Sequence, residues 1–226
     1  MNNNMYSPTA KTGIEPTFYG KVMSFFALAL FASAAGTFVG VQYLEQVFLD
    51  KPFLIWIVFG VELLLIFTSR KWSTITPLNR FLFAGFAFLS GLSITPLMVM
   101  LMATTAGAAM VMKALGITGV LFTAMAMIGF TTNINLSGMR GFLMASLIGL
   151  ILVQVVGIFI PWSNTTEILV SSGGAVIFSG FVAYDMQKIK KFPQDRYIDA
   201  ALHLYLDIFN LFLYILRLLM ALNNRN

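Results

Sequence analysis

The sequence predicts an all-α integral membrane protein of seven transmembrane helices, the last one central and wrapped by the other six. Three observations carry this. The 226 residues are 58% hydrophobic and only 10% charged, whereas soluble domains carry about 25% charged residues. The mean hydropathy is +0.85. The apolar residues fall into seven separate runs, each near the ~20 residues that a spanning helix needs.

The runs are 22–44, 53–69, 81–102, 114–131, 141–160, 168–187 and 200–219. Residues 1–20 are read as a polar cytoplasmic tail and 21–222 as one transmembrane domain. Ala32-Ser-Ala34 resembles a signal-peptidase site, but the apolar run continues from Val22 to Leu44, 23 residues, so it is read as a span. The second run is short and carries Glu62. The third contains Pro96, which predicts a kink or an early end there. The stretch 103–113 is rich in Ala, Gly and Met and reads either as a partly buried loop or as an extension of the fourth helix. In the sixth run, Gly173, Gly174, Ser179 and Gly180 are small enough for close helix packing. The seventh holds His203, Asp207, Asn210 and Arg217. Such a helix is a poor neighbour for lipid, which is why it is placed at the centre.

Lys and Arg set the expected orientation. With the N-terminus inside, ten of the fourteen basic residues, Lys188, Lys190, Lys191 and Arg196 among them, fall on the inner side. That agrees with the positive-inside rule for seven spans with the C-terminus outside. The run Lys188-Ile-Lys-Lys191 is read as part of this signal. The pI near 9.6 therefore does not point to nucleic acid. Cysteine is absent and there is one histidine, which excludes disulfides, thiolate metal sites and a multi-histidine metal site within one chain. The fourteen methionines, Met98, Met100, Met102, Met110 and Met112 among them, follow no ligand pattern and are read as lipid-facing or gap-filling. No tightly bound cofactor is expected.

Nine acids occur, and only Glu62, Asp185 and Asp207 lie inside apolar runs. A carboxylate within a bilayer is costly and marks a functional site by default. Asp185 and Asp207 are 22 residues apart, symmetric about Arg196. A helical hairpin turning there brings both to similar depth from one membrane face. Glu62 lies eight residues before Arg70, about 12 Å by helical rise, so three acids can share one layer. Two close carboxyls can share a proton. Losing it produces repulsion, or a hard oxygen site suited to transient occupancy by a cation such as Ca²⁺. The bland alternative is pinning: each acid pairs with Arg70, His203, Asn210 or Gln187. His203, one turn before Asp207, is positioned for a local pair. Asp185 and Asp207 are thus expected to form a proton-sharing pair that marks an ion pathway, with Glu62, Arg70 and His203 as candidate members of the same site.

These residues carry a resemblance. Ala183-Tyr-Asp-Met-Gln-Lys-Ile-Lys190 resembles the Ala-Tyr-Asp-Thr-Gln-Lys signature of the Bax-inhibitor (transmembrane Bax inhibitor motif) family, in its bacterial branch. Ala200-Ala-Leu-His-Leu-Tyr-Leu-Asp-Ile-Phe-Asn-Leu-Phe-Leu213 resembles that family's last helix. Thr131-Thr-Asn-Ile-Asn-Leu-Ser-Gly138 is similar to its loop after helix four, and Gly91-Leu-Ser-Ile-Thr-Pro96 to its helix three. The resemblance implies seven helices with the last at the centre and a pH-sensitive calcium leak controlled by Asp185 and Asp207. It also implies an arginine on helix two that engages the pair when closed, which by region is Arg70. Met186 stands where the family has Thr, and His203 is a second departure.

Two other functions are expected to rank lower. An intramembrane aspartyl protease also places Tyr-Asp on one helix and Asp on the next, but here the second acid lies in Leu204-Tyr-Leu-Asp207 rather than Gly-x-Gly-Asp. An enzyme is therefore not expected. In the other, a regulator of a membrane-bound quality-control protease, the aspartates would only stabilise the fold. The expected partners are the lipid bilayer, calcium and protons, and, in this last reading, another membrane protein.

Overall fold

Three hydroxyls start three of the helices. The side chains of Thr17, Thr104 and Ser163 accept from the backbone N–H of Gly20, Gly107 and Thr166 at 3.2, 3.0 and 3.2 Å. Each satisfies one of the free donors at a helix N-terminus. The computed structural model describes residues 17–160 and 162–223; residues 1–16 of the expected tail lie outside this range.

The described chain is helical throughout. Helix α1 (Phe18–Asp50) is followed by α2 (Phe53–Trp72). Then come α3 (Leu78–Ser93) and α4 (Thr95–Met102), bent by 45° at a single-residue break. Helices α5 (Thr105–Thr131), α6 (Arg140–Phe159), α7 (Asn164–Ile189) and α8 (Tyr197–Asn223) complete the bundle. Six helical segments are long and apolar enough to cross a membrane, and the bent α3–α4 pair brings the number to seven when it is counted as one broken span. Each observed helix overlaps an expected run, and several are longer.

The break at Ile94 precedes Pro96, which lies in the first turn of α4. A proline there has no N–H to contribute and its φ suits a helix start. Thr95 donates its hydroxyl to the Leu92 carbonyl at 2.7 Å, serving an oxygen freed by the break. Residues 105–113 belong to α5, which resolves the ambiguous stretch in favour of helix. A single turn of 3₁₀ helix at Gln194–Arg196 reverses the chain between α7 and α8, where the hairpin was expected.

Helix α8 is the central one. Half of its most apolar stretch is buried, against 6% for α2. It packs directly on α1, α3, α5 and α7. Helix α6 reaches it through Gln154, which bonds Tyr214 and Arg217, and α2 packs on the outside of α3. The outer helices turn large apolar residues outward, Phe67, Phe81, Val120, Phe159 and Val176 among them. Met100, Met102 and Met112 are exposed with them, while Met98 is buried in the core.

Glycine permits the tightest crossing. A Cβ on Gly91 would collide with the Ser33 carbonyl, and one on Gly36 with the Phe88 carbonyl. Helices α1 and α3 therefore meet backbone to backbone, and Thr37 donates its hydroxyl to the Gly91 carbonyl at 2.9 Å. Small residues allow such approach where lipid supplies no hydrophobic drive. Of the glycines singled out in α7, Gly174 lies against the Tyr214 ring and Gly180 against Leu143, while Gly173 has no neighbour.

Gly91→Leu should force α1 and α3 apart and cost about 1–3 kcal/mol, the usual range for overpacking. Gly116→Leu, where an added Cβ meets nothing, should leave stability unchanged. Thermal unfolding in detergent checks the pair.

Candidate functional site

The carboxylates lie where α7 and α8 meet. Asp185 is in the second-last turn of α7 and Asp207 in the third turn of α8; each is only 4% exposed. The chain reversal at 194–196 sets the two helices antiparallel, so residues equidistant from the turn share a level. Helices α7 and α8 pack against each other along their length.

The two acids have different surroundings. Asp185 Oδ1 faces Lys188 Nζ at 3.4 Å and its Oδ2 faces His203 Nδ1 at 3.4 Å. Lys188 stands one turn below Asp185, and its ammonium lies over the rings of Tyr184 and Phe192 at 5.8 and 5.3 Å. Asp207 Oδ2 is buried with no hydrogen-bond partner among the described residues. A buried oxygen in that state is costly and is disposed to take a proton or a cation. Asp185 and Asp207 thus sit at a similar level on facing helices, but no hydrogen bond joins them among the described residues. One acid is restrained by two nitrogen groups and the other is left open.

His203 does not pair with Asp207 as its spacing predicts. It reaches across to Asp185, because its imidazole lies on the edge of α8 that meets the end of α7. Its ring also packs edge-on against Phe192 at 6.2 Å. Lys188, expected only as an orientation signal, is a direct partner of Asp185; its (i, i+3) spacing was the available clue. Lys190 from the same run bonds the Phe130 carbonyl at the end of α5. Gln187 pins the following loop, accepting from Leu136 N at 2.8 Å and donating to the Ile134 carbonyl at 2.7 Å. Asn210 donates to the Leu206 carbonyl of its own helix at 2.8 Å. Neither amide serves the acids.

Glu62 and Arg70 are not brought to the pair. Glu62 is buried, but its Oε1 accepts from Ser93 Oγ of α3 at 3.5 Å, and α3 is also the helix that Tyr205 faces through its bond to the Ala87 carbonyl. Tyr205 and Asp207 are two residues apart, so they point about 200° apart around α8. Glu62 therefore lies close to the layer of Asp207 but on the other side of the central helix. Arg70 is exposed at the end of α2 and makes no ion pair among the described residues. Lys188 and His203 occupy the place expected of Arg70.

Among the described residues no three His, Cys, Asp or Glu side chains come together as a metal-binding group. What the site offers is two buried carboxyls on facing helices, whose shared charge depends on protonation. Two carboxylates at such a seam repel when both are ionised.

Known proteins share this sequence over most of its length. A protein of Campylobacter jejuni is 31% identical over 208 residues, covering 92% of this chain and 90% of that relative. A membrane protein of Vibrio cholerae is 34% identical over 146 residues, 65% of this chain and 64% of its own. A Golgi anti-apoptotic protein of vaccinia virus is 33% identical over 150 residues, 66% of this chain and 61% of its own. The family model Bax1-I, Inhibitor of apoptosis-promoting Bax1, matches residues 15–225, across all the described helices and both aspartate motifs. The chain is thus a membrane-embedded member of the Bax inhibitor family.

Proposed function

We propose that this protein is a pH-sensitive calcium leak channel, with Asp185 and Asp207 as gate and transient ion ligands. The observation that carries the reading is the asymmetric pair: Asp185 held by Lys188 and His203, and Asp207 buried beside it with an unpartnered oxygen. With a proton on the pair, α7 and α8 stay packed and the oxygens are neutralised. As pH rises and the proton leaves, two like charges on facing helices repel and the seam loosens. The same change creates the oxygen ligands that attract a divalent cation. Water or backbone carbonyls complete its shell, so occupancy is brief. Calcium is cargo in this reading, no tightly bound cofactor takes part, and the protein is not an enzyme. In this reading the N-terminus and the aspartate end lie on the cytoplasmic side of a bacterial inner membrane, with the C-terminus outside; the bias of the basic residues toward that side supports it.

In calcium-loaded proteoliposomes, wild-type flux should rise from acid to alkaline pH. Asp185→Asn and Asp207→Asn should each flatten that response and lower alkaline flux by about tenfold. This corresponds to ~1.4 kcal/mol, within the range for two charges at a partly buried site. Flux indifferent to pH and to both substitutions would sink the reading.

Lys188 and His203 tune the gate by stabilising charge on Asp185. Lys188→Met and His203→Phe should each move the onset of flux to higher pH. Arg70→Met, outside the cluster, should leave the onset where it is. The comparison is a pH titration of flux for the three variants.

A further inference from the structure

The polar residues of α8 continue past the aspartates. His203, Asp207, Asn210, Tyr214 and Arg217 recur at intervals of four, three, four and three, which aligns them on one face of the helix. From Asp207 to Arg217 is about 15 Å by helical rise. At that far end the stripe meets a cavity of about 580 Å³, lined by Gln154, Trp162, Ser163, Asn164, Glu167 and Arg217.

Three side chains close the stripe below this cavity. Arg217 donates to Gln154 Oε1 at 2.9 Å, and Gln154 Nε2 donates to the Tyr214 hydroxyl at 3.2 Å. One amide from α6 thus ties together two consecutive polar positions of α8. The Tyr214 ring lies against Gly174 and stacks on Phe178 at 5.6 Å, with Phe181 next to it at 5.8 Å. Moving from Asp207 toward the cavity, the stripe therefore meets Asn210, then an aromatic layer, then the arginine–amide chain. The hydroxyl and the guanidinium both depend on the rotamer of Gln154, so releasing one amide frees both ends.

We propose that Arg217, Gln154 and Tyr214 form a second gate on the cation path, a latch at the mouth opposite the aspartates. The cavity is the vestibule outside it. The latch keeps the Tyr214–Phe178 layer closed, and the guanidinium holds a positive charge at that layer's mouth, in a vestibule whose wall also carries the Glu167 carboxylate. This rests on reading the Asp185–Asp207 seam as a cation path. It adds a mouth that is controlled by hydrogen bonding and a fixed charge rather than by protonation.

The chain has no cysteine, so single thiols can report access from the vestibule side. Full-length protein carrying Ser163→Cys should react readily with a membrane-impermeant, positively charged methanethiosulfonate, which marks that side. Protein carrying Asn210→Cys should react slowly from there. Adding Arg217→Gln should speed that reaction about tenfold, the effect of losing one charge-assisted hydrogen bond on a closed–open equilibrium. If Arg217→Gln does not fold, Gln154→Leu breaks the same chain from α6 and should act likewise. Arg217→Lys, which keeps the charge without the fork geometry, should fall between. An unchanged rate in folded Arg217→Gln or Gln154→Leu protein overturns the latch. In the flux assay Arg217→Gln should pass more calcium than wild type and keep the aspartate-dependent pH response. Faster labelling without any aspartate-dependent flux upholds the gate and removes the calcium reading alone.

Discussion

The whole bundle answers to one constraint. Helix α8 carries an imidazole, a carboxyl, an amide and a guanidinium through a medium that solvates none of them. Exposing such groups to hydrocarbon costs several kcal/mol each, so the helix is stable only when surrounded. The surrounding helices supply a partner for almost every polar group on it. His203 meets Asp185, Tyr205 donates to the Ala87 carbonyl at 3.3 Å, and Tyr214 and Arg217 meet Gln154. Asn210 turns back on its own helix. Asp207 is the place where this satisfaction is incomplete. In a structure built around pairing, that exception is where function is most economically sought.

The central helix also divides the polar interior. On one side, α3 carries the Ser93 hydroxyl that bonds Glu62 of α2, and it packs on α1 through the glycine crossing. On the other, α7 carries Asp185 to the seam, and its own approach to α5 depends on Gly129, where a Cβ would strike the Ala183 carbonyl. Two residues of α8, Tyr205 and Asp207, face these two sides from nearly the same depth. The acids therefore belong to two clusters separated by one helix diameter, although their depth in the sequence is similar. Only the α7 side holds two carboxylates close enough to act on one another.

Basic residues serve more than one end. Lys188 and Lys190 come from a run whose composition explains itself as an orientation signal, yet the first holds Asp185 and the second ties α7 to the end of α5. A long aliphatic stem lets each ammonium reach inward from a helix end while remaining near the membrane surface. The same economy holds for Gln187, which secures the loop after α5 from the residue next but one to Asp185.

The sequence by itself determined the membrane class, the helices and their approximate limits, the break near Pro96, the reversal at Arg196 and the similar level of Asp185 and Asp207 on the two helices that flank it. Those properties are local or depend on distance along one chain direction: hydrophobic length, proline chemistry, and symmetry about a turn. The tertiary structure decided which side chains complete the site. His203 lies one turn from Asp207 but pairs with Asp185, Lys188 replaces Arg70 beside that carboxyl, and Glu62 shares the layer but faces away. The amide of Gln154 joining Tyr214 to Arg217 is likewise invisible along the chain, since it links residues 60 and 63 positions apart. Depth along a helix can be counted from the sequence. The angle at which one helix faces another is set by packing, and that angle selects the partners.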